Sequence, residues 1–229
     1  VFLGIGFETT SPTVAVSILQ AREQDITNYY VLSLHKLTPP ATKAILDSGE
    51  SRLDGIIGPG HVTTVIGSRA WEFLPQQYGV SCVIAGFEPL DILQGIYTLV
   101  KRIEGGEPQV DNVYGRSVRA EGNEVALEYM NVVFEECAAE WRGIGEIPAS
   151  GLKLNSEFRP FDARERFQVD PGATEEPAGC LCGDVIRGVA IPPDCPLYRV
   201  VCTPHHPVGP CMVSGEGTCA AYYLYTAGE

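Results

Sequence analysis

Six of the eight cysteines in this 229-residue chain fall between Cys180 and Cys219, in a stretch dense in glycine and proline. They read Cys180-Leu181-Cys182-Gly183, Asp194-Cys195-Pro196, Val201-Cys202-Thr203-Pro204, Pro210-Cys211 and Thr218-Cys219. Such a segment has little hydrophobic periodicity and cannot bury much core by itself. A metal centre supplies what the core lacks. Disulfides rank third, since they staple small secreted domains and these cysteines follow a large α/β body with no secretion signal before Val1. Zinc ranks second, because it takes four ligands, usually in Cys-x-x-Cys knuckles that do not occur here. Soft thiolates in loops whose backbone N–H groups can approach sulfur fit an iron–sulfur cluster best. A 4Fe-4S cluster takes four thiolates and leaves two for a dithiol/disulfide beside it. The ligand candidates are Cys180, Cys182, Cys195, Cys202, Cys211 and Cys219. Cys195, Cys202 and Cys219 are expected among the four, with the fourth drawn from Cys180, Cys182 or Cys211. Cys82 and Cys137 stand alone in apolar surroundings and are expected to be buried structural thiols.

Upstream, apolar runs alternate with helix-spaced segments. Val1–Gly6, Tyr29–Leu34, Leu53–Ile57 and Val80–Ala85 read as strands. Helices are predicted over Ser11–Arg22 with Pro12 in the first turn, Ala41–Ser48, Arg69–Gln77, Ile92–Ile103 and Glu124–Trp141. This rhythm predicts an α/β fold: a parallel sheet with helices on both faces, followed by a loop-rich iron–sulfur domain. The expected division is 1–169 for the α/β domain with a following helical or extended segment, and 170–229 for the cysteine-rich domain. Asp170–Gly179, with two prolines and two glycines, is the boundary candidate.

The apolar fraction of 45% suits a globular protein, and no apolar run reaches the length of a membrane span. The net charge of −13 repels nucleic acid and anionic membrane alike. No basic leader precedes Val1, so a cytoplasmic protein lacking an upstream portion is expected.

Open parallel sheets bind ligands beyond the C-terminal ends of their strands. Glu8 and Glu88 each follow an apolar strand in a Gly-Phe-Glu turn, and His61 follows Pro59-Gly60 at another strand end. If the three strands share one sheet, these side chains converge on one edge as catalytic candidates able to hold a polar ligand and move protons. Gly6, Thr9, Thr10, Pro59, Gly60 and Asp91 are the accompanying cofactor-binding candidates. The plainer alternative is that each group caps its own helix and faces water.

Taken together, Gly6-Phe7-Glu8-Thr9-Thr10, Pro59-Gly60-His61-Val62, Gly86-Phe87-Glu88-Pro89-Leu90-Asp91, and Gly209-Pro210-Cys211-Met212-Val213-Ser214 ahead of Cys219-Ala220-Ala221-Tyr222-Tyr223 resemble the HypD family of nickel–iron hydrogenase maturation factors. The resemblance runs along the whole chain in order. It implies α/β domains plus a unit bearing a 4Fe-4S cluster, similar to ferredoxin–thioredoxin reductase. It also implies a scaffold on which the Fe(CN)2CO group is built with HypC-like and HypE-like partners. The family's Cys-Gly-x-His and Gly-Pro-Gly-Cys-Pro-x-Cys motifs do not occur in these residues, so the chain alone is not expected to perform the family's reaction. Gly215 and Arg199 are smaller departures from the family pattern. The rival readings are a freestanding iron–sulfur disulfide reductase acting on a small thiol protein, and a metal-stapled binding module.

Overall fold

The computed structural model describes residues 1–51, 53–168 and 177–226. Most of the boundary candidate Asp170–Gly179 lies outside them. The chain divides into two compact units. The first comprises Val1–Lys43, Leu53–Ala139 and Pro148–Val169; the second comprises Ala44–Arg52, Glu140–Ile147 and Asp170–Glu229.

The elements alternate as the sequence rhythm demands. β1 (Phe2–Gly6), α1 (Ser11–Glu23), β2 (Val31–His35), α2 (Thr38–Asp47), β3 (Gly55–Pro59), α3 (Gly60–Ile66), β4 (Ser81–Ala85), α4 (Pro89–Gly105) and β5 (Val110–Asn112) follow one another. Every pairing among these strands is parallel: β1 with β2, β3 with β4, and β4 with β5. The fold is therefore mixed α/β with parallel sheets flanked by helices. In α1, Pro12 supplies a helix-compatible φ at a position needing no N–H donor. Val14, Ala15, Ile18 and Ala21 then give α1 one buried face.

The expectation of one sheet through Val1–Gly6, Leu53–Ile57 and Val80–Ala85 is corrected. β1 and β2 form a two-stranded sheet, while β3, β4 and β5 form a separate three-stranded sheet with β4 in the middle. All three runs are apolar, but only β4 is buried at every position, as a central strand is. In β1, Phe2, Leu3 and Ile5 are exposed and Gly4 alone is buried. An apolar run reports strand tendency without reporting which sheet it joins.

Two helix predictions also change. The Arg69–Gln77 segment is a short 3-10 helix at Ser68–Trp71 followed by one π-helical turn at Leu74–Tyr78. Glu124–Trp141 splits into α5 (Glu124–Val133) and β6 (Phe134–Trp141). β6 pairs with β7 (Gly145–Leu154), so ladder bonding overrides the helix propensity of Cys137-Ala138-Ala139-Glu140. Phe134 at the start of β6 joins Val14, Ile18, Val31, Met130, Val133, Leu152 and Phe158 in the core of the first unit. A short α6 (Ala163–Arg166) follows, capped by the Asp162 carboxylate on the Arg164 N–H. Among the described residues, no helix is long and apolar enough to cross a membrane.

The second unit contains α7 (Cys182–Ile186), α8 (Thr218–Tyr225) and 3-10 turns at Pro192–Asp194 and Pro210–Met212. Its core consists largely of the cysteines: Cys182, Cys202, Cys211 and Cys219 pack with Val185, Met212 and Ala220.

Candidate metal centre and sheet-edge residues

The second unit's short elements each deliver a thiol. Cys180 precedes α7 and Cys182 opens it; Cys195 follows the Pro192–Asp194 turn. Cys202 closes a tight loop by donating its N–H to the Leu197 carbonyl at 2.9 Å. Cys211 lies in the Pro210–Met212 turn, and Cys219 is the second residue of α8. Cys180 is half-buried and the other five are buried.

Proline and glycine make this gathering sterically possible. A Cβ on Gly209 would stand 2.5 Å from the Cys180 sulfur, so only glycine leaves that thiol its place. The Cys211 and Cys219 sulfurs approach to 2.8 Å. The Cys211 N–H points at the Cys182 sulfur at 3.3 Å, and the Val208 N–H at the Cys202 sulfur at 3.4 Å. The thiol hydrogen bond from Cys182 holds the Cys211 thiol down to about 6, with Cys219 adding to the effect. Cys182 is pushed up because it is the donor in that bond. Burial, then the Cys211 bond, raises Cys219. Burial raises Cys180 too, and the thiols of Cys195, Cys211 and Cys202 add to it.

Among the described residues, no three His, Cys, Asp or Glu side chains are grouped so that they could hold a single metal ion as they stand. The donor set still fits an iron–sulfur group: the buried thiols of Cys182, Cys202, Cys211 and Cys219 pack together with half-buried Cys180 against them, main-chain N–H groups are aimed at sulfur, and the Tyr198 hydroxyl is buried and orphaned. His205 and His206 lie in the loop after Cys202, where the His206 N–H closes onto the Thr203 carbonyl.

In the first unit the structure separates the sheet-edge candidates into two groups. Glu8 follows β1 and is 1% exposed. Its Oε1 accepts from the Thr38 N–H at 2.6 Å and the Thr38 hydroxyl at 3.0 Å, while Oε2 is buried with no partner among the described residues. Burial raises the Glu8 carboxyl despite these bonds. Gly6 adopts φ 133° and its α-carbon backs onto the Thr10 side chain. Thr10 hydrogen-bonds to the carbonyls of Ile5 and Phe7 without capping α1, and Thr9 lies half-buried in the same turn.

The second group belongs to the β3–β4 sheet. Pro59 ends β3 and Gly60 opens α3, where a Cβ would run into the Ala85 backbone and Tyr114. His61 is exposed, its ring 5.0 Å from that of Phe87, which is itself 75% exposed. Glu88 meets Arg116 at 3.3 Å. Asp91 is buried and takes a two-pronged bond from Arg116 at 2.8 and 2.6 Å, which holds its carboxyl below the usual range. Arg116 also stacks on Tyr114 at 4.4 Å. Gly86 leaves room for the Asp91 carboxylate and the Tyr114 ring, which a side chain there would strike.

Thr38 and His35 escaped the sequence reading, and Tyr114-Gly115-Arg116 read only as turn and capping chemistry. A threonine before two prolines and an arginine in a glycine turn carry no motif of their own. His35 is 1% exposed, and burial pushes its ring down to about 4. Ser33 spends its only proton on the Leu152 carbonyl at 2.6 Å, so at 3.1 Å His35 Nδ1–H must donate to Ser33. The neutral ring therefore turns a bare Nε2 lone pair inward. Cys82 is buried and its thiol is raised to about 12, as expected for a structural thiol. Cys137 on β6 is only half-buried, which corrects the expectation for it.

The chain matches the HypD family, described as a hydrogenase formation family (hypA), over residues 1–226. It is 46% identical to the hydrogenase maturation factor HypD of Cupriavidus necator across 98% of its own length and 61% of that protein's. Over the same shares it is 47% identical to the hydrogenase expression/formation protein HupD of Azotobacter chroococcum. A hydrogenase expression/formation protein of Methanocaldococcus jannaschii is 40% identical over 98% of this chain and 63% of its own length. The chain thus spans somewhat less than two thirds of these relatives, and it belongs to the HypD family.

Proposed function

We propose that this chain is part of a hydrogenase maturation scaffold, with its second unit holding a 4Fe-4S cluster that moves electrons during assembly of the Fe(CN)2CO group. The observation behind this reading is the buried group of Cys182, Cys202, Cys211 and Cys219, with Cys180 packed against it and backbone N–H groups directed at sulfur. The maturation role comes from the relatives' names, and HypC-like and HypE-like proteins are the proposed partners. When bound, the cluster supplies one-electron chemistry. Four of Cys180, Cys182, Cys195, Cys202, Cys211 and Cys219 would hold it, and the remaining two form the redox pair.

The first unit's part is positioning. His61 and Glu88 follow the C-terminal ends of the neighbouring strands β3 and β4, with Phe87 beside His61 and Arg116 beside Glu88. This surface offers an imidazole, a carboxylate and a guanidinium to a polar, partly anionic ligand. Glu8 belongs to the other sheet and acts through Thr38 on the turn from β2 into α2.

The approach of Cys211 to Cys219 at 2.8 Å favours a second reading, a freestanding iron–sulfur disulfide reductase acting on a small thiol protein. Alanine replacements of the six cysteines, one at a time, test both. Loss of the brown chromophore marks a ligand, and its retention marks a spare. Cys202→Ala is expected to abolish it, and a full cluster in that variant would refute the ligand assignment. Co-purification with HypC-like and HypE-like proteins supports the scaffold; disulfide turnover by the chain alone supports the reductase.

A further inference from the structure

Tyr198 has a buried hydroxyl without a hydrogen-bond partner among the described residues. Its backbone lies between two candidate ligands. The Tyr198 N–H donates to the Cys195 carbonyl at 3.0 Å, and Tyr198 forms a β-bridge with Cys202. The side chain packs against the buried group containing Cys182, Cys202, Cys211 and Cys219. Tyr222 and Tyr223 meet its ring edge-on at 6.4 and 6.1 Å. Arg199, held at φ 59°, lays its guanidinium over both Tyr198 and Tyr223. The residue is partly buried, but these neighbours hold the ring so that its hydroxyl is the buried end.

Phenylalanine would fill the same space. A buried O–H left unpaired is costly, and native interiors pair nearly all of theirs. The orphan points to an acceptor that belongs in this place and is not protein. Sulfur is the acceptor this unit gathers, and main-chain donors already address Cys182 and Cys202. Resting on the cluster reading above, we propose that the Tyr198 hydroxyl donates a hydrogen bond to a sulfur of the iron–sulfur core and thereby raises its reduction potential. Tyr198 is a tuning residue and not a ligand. A donor at sulfur stabilises the more negative, reduced state.

The test is Tyr198→Phe in the full chain, loaded anaerobically and followed by redox titration and by resonance Raman spectra in H2O and D2O. The variant is expected to bind as much iron and sulfide as the wild type, to titrate at a lower potential, and to lose a deuterium-sensitive shift of the Fe–S stretching bands. If Tyr198→Phe does not load, difluorotyrosine at position 198 keeps the ring and strengthens the donor, and the potential should then rise. A loaded cluster with unchanged potential and unchanged bands in the variant overturns the hydrogen bond alone. A wild-type chain that takes up no cluster overturns the cluster reading and the hydrogen bond with it.

Discussion

Thr38 spends both its main-chain N–H and its hydroxyl on one oxygen of Glu8, at 2.6 and 3.0 Å. The carboxyl is thereby fixed across the turn from β2 into α2, although burial raises it above its ordinary value. Thr38→Val removes one donor and should cost about 1 kcal/mol in urea unfolding. It should also raise the Glu8 carboxyl further, read by 13C NMR titration. A Glu8 carboxyl that titrates below the normal glutamate range would contradict this arrangement.

His35 gives the fold an acid sensitivity. Its ring titrates near 4 when folded and near the ordinary 6.5 when unfolded, so between these values the unfolded chain binds more protons. Stability is therefore retained above pH 6.5 and lost as pH falls toward 4, by roughly 3 kcal/mol in all. Glu8 has the opposite slope, because its raised carboxyl favours the folded state at lower pH. Comparing urea unfolding of wild type and His35→Asn at pH 7 and pH 4.5 isolates the histidine. Equal acid losses in the two proteins would rule it out as the source.

Arg116 organises the edge of the β3–β4 sheet by binding Asp91 with two nitrogens and meeting Glu88 with one. Arg116→Lys keeps the charge but not the paired geometry. The variant should melt at a lower temperature, with the Asp91 carboxyl moving up toward its ordinary value. An unmoved Asp91 titration in Arg116→Ala would show that the ion pair does not form in solution.

Much of the fold was legible because the signals were local. Pro12 marked the start of α1, and the apolar runs at Tyr29–Leu34 and Val80–Ala85 located β2 and β4 to within two residues. Sheet membership was not legible, since β1 and β4 are both apolar runs and differ only in what covers them. The helix predicted through Cys137 failed because pairing with β7 is a long-range event. At the candidate site, the cysteines declared themselves by type and density. Thr38, His35 and Arg116 did not, because each matters through a partner distant in sequence: Glu8, Leu152 by way of Ser33, and Asp91.

The most direct test is the iron and acid-labile sulfide content of the anaerobically purified chain, with zinc measured alongside. We expect about four irons and four sulfides per chain, a brown chromophore and negligible zinc. Stoichiometric zinc, or a colourless chain with neither metal, would contradict the cluster at the centre of this proposal.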